Sequence, residues 1–534
     1  MPETSNEPKR TPRRSAAKKA GPAKLQSINP ATGELVSEVN AHDPAVVADA
    51  VSAARKVAPE WAAIPIGGRA RMLREVRHEI YRRLDDIVLT VSEECGKPMA
   101  EALTADVMPT VLNLLYYERT AARVLRPQKE GRFAGPALAL SSSHIDWRPH
   151  GVVGCISPWN YPFFLSFMAM APALFAGNTV MLKPSEVTPR VGELIREVLE
   201  PLPAGVATVV QGGGEVGAAL VDAPCDKIAF IGSPGTGRRI AEAAAKHLTP
   251  VVMELGGQDT AIVCSDADLD RASSGILWGA FVNAGQTCAA IERAYVVDSV
   301  ADEFERKLSS KVKEIRQGDD VGALTAPRQF DVVQKHVRNA LDKGARLIAG
   351  GPDAGRKNSN GSHWYAPTII EGRSEEMDIF TEETFGPVLS IIRVRDEEEA
   401  VARARDEGYN LTASVWTQNK SRGDLIASQL RAGSVMVNDH ASAAGMPWGF
   451  WGGVGESGYG RLNGELGLKE MSVPVHVTRS LGGLPKLWWY PYDAATTKAL
   501  RAATELMSAP GVGPKAKAMK DLLASAGTAL KNKL

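Results

Sequence analysis

The sequence predicts an α/β protein whose parallel sheets are covered by helices on both faces. Two observations carry this. Short, continuously apolar runs of strand length recur between helical stretches: Val152–Ile156, 179–182, 207–210, 228–231 and 251–253, with helices at 190–199 and 237–246. Apolar strands without polar alternation are buried on both faces, as in parallel sheets joined by helical crossovers. The pattern then repeats over 258–450, with strands at 294–297, 346–348, Val388–Val394 and 435–437 and helices at 301–315 and 334–343. With 534 residues and about 150 residues per domain, two to four domains are expected.

The elements outside this pattern follow in order. Residues 1–24 are rich in Pro, Ala and Ser, and carry seven Lys/Arg against Glu3 and Glu7. Such a tract buries too little apolar surface to offset its ordering entropy and reads as a disordered basic tail. The folded body is expected to open at Leu25. From Asp43 to Val124 the apolar spacing is helical, for instance Ile80, Leu84, Ile87 and Val91. Residues 142–149 read as extended, with a β-hairpin as one arrangement. Composition shifts again beyond His476.

Whole-chain totals exclude several classes. A formal net charge of +0 argues against a protein-wide field for nucleic acid or membranes. Five cysteines without a C-x-x-C pair do not make a disulfide framework and point to a reducing compartment, hence a cytoplasmic location. No metal site is expected. The N-terminal stretch has no apolar signal region, so no export is implied.

Several residues are placed for chemistry. Cys288 follows the small, amide-rich turn Asn283-Ala284-Gly285-Gln286 and is a candidate nucleophile; the structural alternative is a buried free thiol. Asn160 lies in the loop after the Val152–Ile156 strand, where open α/β sheets bind ligands, and could donate to an oxyanion. Lys183, Ser185 and Glu186 end the next strand and could bracket a ribose; a surface ion pair is the alternative. Gly212-Gly213-Gly214-Glu215-Val216-Gly217 matches G-x-G-x-x-G, a pattern that adjacent glycines satisfy easily. Gly232-Ser233-Pro234-Gly235-Thr236-Gly237 precedes a helix whose N-terminus favours a pyrophosphate, and Ser233 could cap it. Glu254, at an apolar strand end before Leu255-Gly256-Gly257, could act as a base with a raised pKa, or pair with an Arg. Glu383-Thr384-Phe385-Gly386-Pro387 adds a carboxylate and a ring.

W-N-Y-P at 159–162, K-P-S-E at 183–186, G-S-P-G-T-G-R at 232–238, E-L-G-G at 254–257, G-Q-T-C at 285–288, E-T-F-G-P at 383–387 and E-S-G-Y-G-R at 456–461 together resemble the aldehyde dehydrogenase superfamily. The resemblance spans about Leu25 to Val477, and seven motifs in one order are specific. It implies a Rossmann-type cofactor domain, an α/β catalytic domain and a small β element for oligomerisation. The implied layout is 25–127 with 149–256 for cofactor, 257–450 for catalysis, 128–148 with 451–480 for bridging, and 481–534 as an extension. It implies Cys288 as nucleophile, Asn160 with the Cys288 N–H as oxyanion donors, and Glu254 as the base that activates water. Cofactor contacts are implied for Trp159, Lys183, Ser185, Glu186, Gly212, Gly232, Ser233, Glu383 and Phe385, with the 232–238 turn as the main pyrophosphate site. The presence of Glu254 implies a free acid product rather than a coenzyme A ester. Two departures stand out: Gln258-Asp259-Thr260 follows E-L-G-G where a Lys is usual, and Pro234 removes an N–H from the phosphate turn.

Glu186 favours NAD over NADP by repelling a 2′-phosphate, although NADP stays open. No charge lies between Tyr161 and Leu182, while Tyr161, Phe163, Phe164, Leu165, Phe167, Met168 and Met170 do. This favours a hydrophobic aliphatic or aromatic aldehyde, with a succinate-semialdehyde-type enzyme as the alternative and a non-redox thiol esterase behind it. The loop Met446-Pro447-Trp448-Gly449-Phe450-Trp451 adds aromatic surface near the entrance. A homodimer or homotetramer is expected. Residues 481–534 carry an aromatic cluster (Trp488, Trp489, Tyr490, Tyr492) and two amphipathic helices, the second with Met519, Leu522, Leu523 and Ala526 on one stripe. Packing on the protein's own subunits is preferred there over contact with an anionic bilayer.

Overall fold

The computed structural model describes residues 23–129, 141–358, 360–372, 376–405, 408–480 and 485–533. Two sheets dominate. The first has six strands in the order Gly458–Tyr459, Val251–Leu255, Lys227–Gly232, Val152–Ile156, Thr179–Lys183 and Ala207–Val209. All neighbours are parallel except the short edge strand Gly458–Tyr459. The second has seven strands in the order Arg346–Ala349, Thr368–Glu371, Val388–Val394, Ile291–Val297, Asp259–Val263, Thr412–Trp416 and Ser434–Val437, with only Arg346–Ala349 antiparallel.

Besides the two-residue edge strand Gly458–Tyr459, three strands escape the apolar-run reading: Asp259–Val263, Thr368–Glu371 and Thr412–Trp416. The last reads T-A-S-V-W, yet all five residues are buried. Its polar atoms are satisfied in the core: Thr412 N–H donates to Asp259 Oδ1 at 2.9 Å and the Thr412 hydroxyl to Oδ2. The Gln258-Asp259 departure is thereby built into the packing between two strands.

The helical stretch from Asp43 is not one rod. It divides into Val47–Ala63, Ile66–Arg82, Leu84–Cys95 and Met108–Val124, with a π-helical turn at Ala102–Val107. Gly96, at φ +74°, ends the third helix in the left-handed region. These helices clasp Pro162–Ala176, whose fifteen residues are all buried. A helix buried all round cannot leave its end groups to water. Asp106 Oδ1 accepts the Phe163 and Phe164 N–H groups, each at 3.2 Å. Arg69 donates to the Phe175 carbonyl through Nε at 3.2 Å and Nη2 at 3.1 Å. Lys97 Nζ closes on Asp106 Oδ2 at 2.9 Å, with neither side chain exposed.

The 142–149 segment is extended, as Ser141–Pro149. Its long partner is Ser472–Ser480, paired from Ser472 opposite Pro149 to Ser480 opposite Ser141, while Gln128–Lys129 covers its other edge. The first described strand, Lys24–Ile28, pairs with Leu35–Asn40, so the folded body begins one residue before Leu25. Almost all of the expected tail lies outside the described residues.

The chain closes with a helical hairpin, Ala494–Ser508 and Val512–Lys531. Its seam differs from the expected stripe. Ala518, Leu522, Ser525 and Ala529 are buried, whereas Met519 and Leu523 point outward. The facing helix presents Ala499, Ala502 and Ala503, so the helices meet mainly on small residues around Leu522, with Leu506 partly buried beside them. Among the described residues no helix is long and apolar enough to cross a membrane.

Lys97→Met leaves the Asp106 carboxylate buried without its cation. It is expected to lower the urea-unfolding free energy by about 3–5 kcal/mol. Arg123→Met, which breaks the exposed Arg123–Glu465 pair, should stay within about 1 kcal/mol.

Candidate active site

The turn before Cys288 is wound the wrong way for L-residues. Asn283 (φ 56°, ψ 33°), Ala284 (φ 54°, ψ 36°) and Gly285 (φ 70°) are successively left-handed. For a residue such as Ala284 this costs about 1–2 kcal/mol. Hydrogen bonds hold it. Asn283 Nδ2 donates to the carbonyls of Asn160 at 2.9 Å and Gln286 at 3.1 Å. The Asn283 N–H donates to both oxygens of Glu101 at 3.1 Å. Gln286 Nε2 donates to the Asn283 carbonyl at 2.9 Å, and its Oε1 accepts the Thr325 N–H at 2.8 Å. Burial pushes Glu101 up to about 7, against the lowering effects of the Asn283 N–H and Lys97. Gly285 admits the next motif: a β-carbon there would sit 2.1 Å from the Gly386 carbonyl oxygen.

The turn delivers Cys288 half-buried, while the other four cysteines are buried. Burial first, and then the carboxylates of Asp259, Glu383 and Glu254, push its thiol pKa up. The thiol is therefore protonated at rest.

Asn160 sits where the Val152–Ile156 strand gives way to the buried helix. Its Nδ2 donates to the Gln286 carbonyl at 3.0 Å, two residues before the thiol. Its own carbonyl accepts Lys97 Nζ at 2.6 Å as well as Asn283 Nδ2. Lys97 Nζ also lies 4.1 Å from the centre of the Tyr161 ring, and the Tyr161 hydroxyl is 2.6 Å from Thr287 Oγ1.

Glu254 ends its strand opposite Gly458. Both carboxylate oxygens are buried without a hydrogen-bond partner. Burial raises its pKa well above the ordinary carboxylate value, with Arg461 acting weakly the other way. The Glu–Arg pair weighed from sequence does not form: Arg461 Nη1 donates instead to the carbonyls of Gly453 at 3.0 Å and Gly460 at 2.5 Å. Glycine makes room for the acid, since a β-carbon at Gly452 would lie 2.6 Å from Glu254 Oε1.

One cavity of about 480 Å³ joins these groups. Cys288, Asn160 and Glu254 line it together with Gly232, Ser233, Glu383, Phe385 and Trp159. Of the apolar residues read from the 161–170 stretch, Leu165 and Met168 reach it, joined by Leu411 and Trp451. Phe163, Phe164, Phe167 and Met170 are core, and Trp448 of the aromatic loop is exposed.

The described groups fit a dinucleotide. Ser233 is the N-cap of Pro234–Ala245 in extended backbone and makes no side-chain cap bond; its Oγ turns to Thr236 Oγ1 at 3.2 Å. The helix N-terminus therefore keeps uncapped N–H groups for a pyrophosphate. Glu383 accepts the Gly257 N–H at 3.2 Å, and burial and Glu292 raise its pKa well above the usual carboxylate value. Glu292 fixes this loop by accepting the Thr384 and Phe385 N–H groups at 2.9 Å, and Phe385 meets Trp159 edge-on at 5.5 Å.

Lys183, Ser185, Glu186 and Gly212 lie away from this cavity, at the ends of the next strands. Lys183 Nζ donates to Glu186 Oε2 at 2.6 Å, and Ser185 Oγ accepts the Val187 N–H at 3.2 Å. At Gly212 a β-carbon would meet Val216 at 2.2 Å, so its size also serves helix packing. Among the described residues no His, Cys, Asp and Glu cluster could hold a metal.

Sequence reasoning missed Lys97, Glu101, Glu292 and Arg461. The available signal was Glu94-Cys95-Gly96-Lys97-Pro98, a cation between two helix breakers inside an otherwise apolar helical region.

Residues 17–477 match the aldehyde dehydrogenase family. A 4,4′-diapolycopene aldehyde oxidase of Methylomonas sp. is 37% identical over 483 residues, covering 88% of this chain and 89% of that protein. A Mycobacterium tuberculosis protein carrying the name of an NADP(+) succinate-semialdehyde dehydrogenase is 37% identical over 450 residues, covering 82% and 85%. Among solved structures, an NAD-dependent aldehyde dehydrogenase from Sinorhizobium meliloti superposes with TM-score 0.81 at 33% identity, covering 88% and 93%. PnpE in complex with nicotinamide adenine dinucleotide gives 0.80 at 32%, covering 86% and 94%. The chain belongs to the aldehyde dehydrogenase family and is an NAD(P)-dependent oxidoreductase that oxidises aldehydes.

Proposed function

We propose that the protein oxidises hydrophobic aldehydes to free carboxylic acids, with NAD as the preferred acceptor and Cys288 as the nucleophile. The observation that supports this best is the shared cavity, in which the only half-buried cysteine and an unpartnered buried carboxylate sit beside an apolar wall of Leu165, Met168, Leu411 and Trp451. The Cys288 sulfur adds to the carbonyl carbon as the thiol proton leaves to water. The new oxyanion takes hydrogen bonds from the Cys288 N–H and from the second Asn160 Nδ2 hydrogen, the first being anchored on Gln286. Such donors are each worth about 3 kcal/mol in the transition state. NAD(P), when bound, accepts the hydride that leaves the reacting carbon. Glu254 then takes a proton from the water that attacks the Cys288 thioester, which releases the acid and restores the thiol.

The diapolycopene relative is named for an apolar aldehyde, in line with this wall. The succinate-semialdehyde relative supports the second reading. A distal carboxylate would need a cation, and the one lining this cavity is Arg328. It sits beside Gln329, whose side chain donates to the Thr384 carbonyl, so it belongs to the Phe385 side. Glu186, close to Lys183, supports NAD over NADP. The edge strand Ser472–Ser480 is exposed over most of its length and is the natural seam of a homodimer or homotetramer. The free cysteines suit the cytoplasm.

A chain-length series tests the substrate class. With NAD, kcat/KM should climb about fourfold per added methylene until the wall is filled, and succinic semialdehyde should be poor. A preference for succinic semialdehyde would support the second reading instead. NAD should exceed NADP about tenfold in kcat/KM.

Cys288→Ala should abolish NADH formation. Because Glu254 works unprotonated and burial raises its pKa, kcat should rise with pH through that raised pKa and level off above it. Glu254→Gln should lower kcat by about 10²–10⁴-fold and remove the rising limb, measured as a pH–rate profile under saturating substrate.

A further inference from the structure

We propose that the 485–533 extension is a docking element for an anionic lipid surface. It lies beyond the stretch that matches the family, which ends at residue 477, so the catalytic body does not account for it. Only part of its apolar surface packs on the chain itself: Leu522 is buried, and Leu487 and Leu506 pack partly against the hairpin core. The hairpin's own core is small, built from Ala499, Ala502, Ala503, Leu522 and Ala529. Trp489, Tyr490, Tyr492, Met507, Val512 and Leu523 stay outside it.

The aromatic end shows this most clearly. Trp489 is 54% exposed, Tyr490 79% and Tyr492 61%. Lysines are interleaved with these rings. Lys533 Nζ lies 5.8 Å from the centre of Tyr492 and donates to the Pro491 carbonyl at 2.7 Å. Lys486 Nζ lies 6.0 Å from Trp488 and reaches Ser141 Oγ at 3.4 Å, tying this end to the catalytic body. Along the second helix Leu523 is 73% exposed, and Lys515, Lys517 and Lys520 are exposed with it.

Indole and phenol rings carry an apolar body and a polar tip, the combination that settles at headgroup depth. Residues 481–534 hold eight Lys/Arg against three Asp/Glu, so the partner that complements them is anionic. Each lysine near such a lipid surface contributes about 1 kcal/mol. A second copy pairing face to face would set these lysines against one another, which favours lipid as the occupant. With no spanning helix among the described residues, the contact is interfacial and reversible. It would hold the catalytic body where aldehydes too apolar for water reside.

The test is sedimentation of the full-length enzyme with vesicles of phosphatidylcholine alone and of an equimolar phosphatidylcholine–phosphatidylglycerol mixture. Binding is expected to the mixed vesicles, with little to phosphatidylcholine, and to weaken with added salt. Trp488→Ser with Trp489→Ser, and separately Lys515→Glu, Lys517→Glu and Lys520→Glu combined, should each reduce binding at least about tenfold. Turnover of a water-soluble aldehyde should be unchanged in both variants. Light scattering on the same proteins reads the other occupant. Failure of the wild-type protein to bind the mixed vesicles overturns the proposal. So does a loss of oligomer size in the aromatic variant without loss of vesicle binding, which would make this face a subunit interface.

Discussion

Everything at the site depends on how the backbone carbonyl of Asn160 is held. It accepts two donors, Lys97 Nζ at 2.6 Å and Asn283 Nδ2 at 2.9 Å. The first comes from the break between two N-terminal helices and the second from the turn that carries the thiol. The same lysine neutralises Asp106, which receives the first N–H groups of the buried helix after Asn160. A single buried cation thus fixes the start of that helix and the loop before it, and through Asn283 the left-handed turn. Because Nζ and Asp106 are wholly buried, the bonds act in a low dielectric, where an unpaired partner would be costly.

The electrostatics of the cavity follow from the same burial. Glu254 has no hydrogen-bond partner, Glu383 lies near Glu292, and all three acids are raised above their ordinary pKa values. Besides burial, the carboxylates of Asp259, Glu383 and Glu254 raise the pKa of the Cys288 thiol. Both shifts favour the protonated forms of the Cys288 thiol and the Glu254 carboxyl. Arg461, close enough to influence Glu254, is committed to two backbone carbonyls and leaves the acid free.

Much of this was legible in the sequence, for physical reasons. Continuous apolar strands mark parallel sheets, and their C-terminal ends carry Asn160 and Glu254, whereas Cys288 is marked by the small amide-rich turn before it; the three share one cavity. Less legible were elements whose polar residues are satisfied only by distant partners. T-A-S-V-W at 412–416 lacks a continuous apolar run, and its polar ends are satisfied by Asp259 against Thr412. In the sequence, Lys97 carries no mark of the Asp106 and Asn160 partners that bury it. The 512–531 helix shows a further limit: periodicity marks an apolar stripe, but the alanines of the facing helix decide which side is the seam. For Lys183, Ser185, Glu186 and Gly212, strand-end position was legible and so was the Lys183–Glu186 ion pair, while the Ser185 turn bond and the Gly212–Val216 packing were not.

The account stands on Cys288 carrying the acyl group between oxidation and hydrolysis, with Glu254 needed only for release. Mixing Glu254→Gln enzyme with NAD and aldehyde for a single turnover, then digesting it and weighing the peptides, examines this directly. The account predicts one NADH per active subunit and an acyl group on the peptide that contains Cys288. NADH formed with that peptide unmodified, or with the acyl group on another residue, would contradict it.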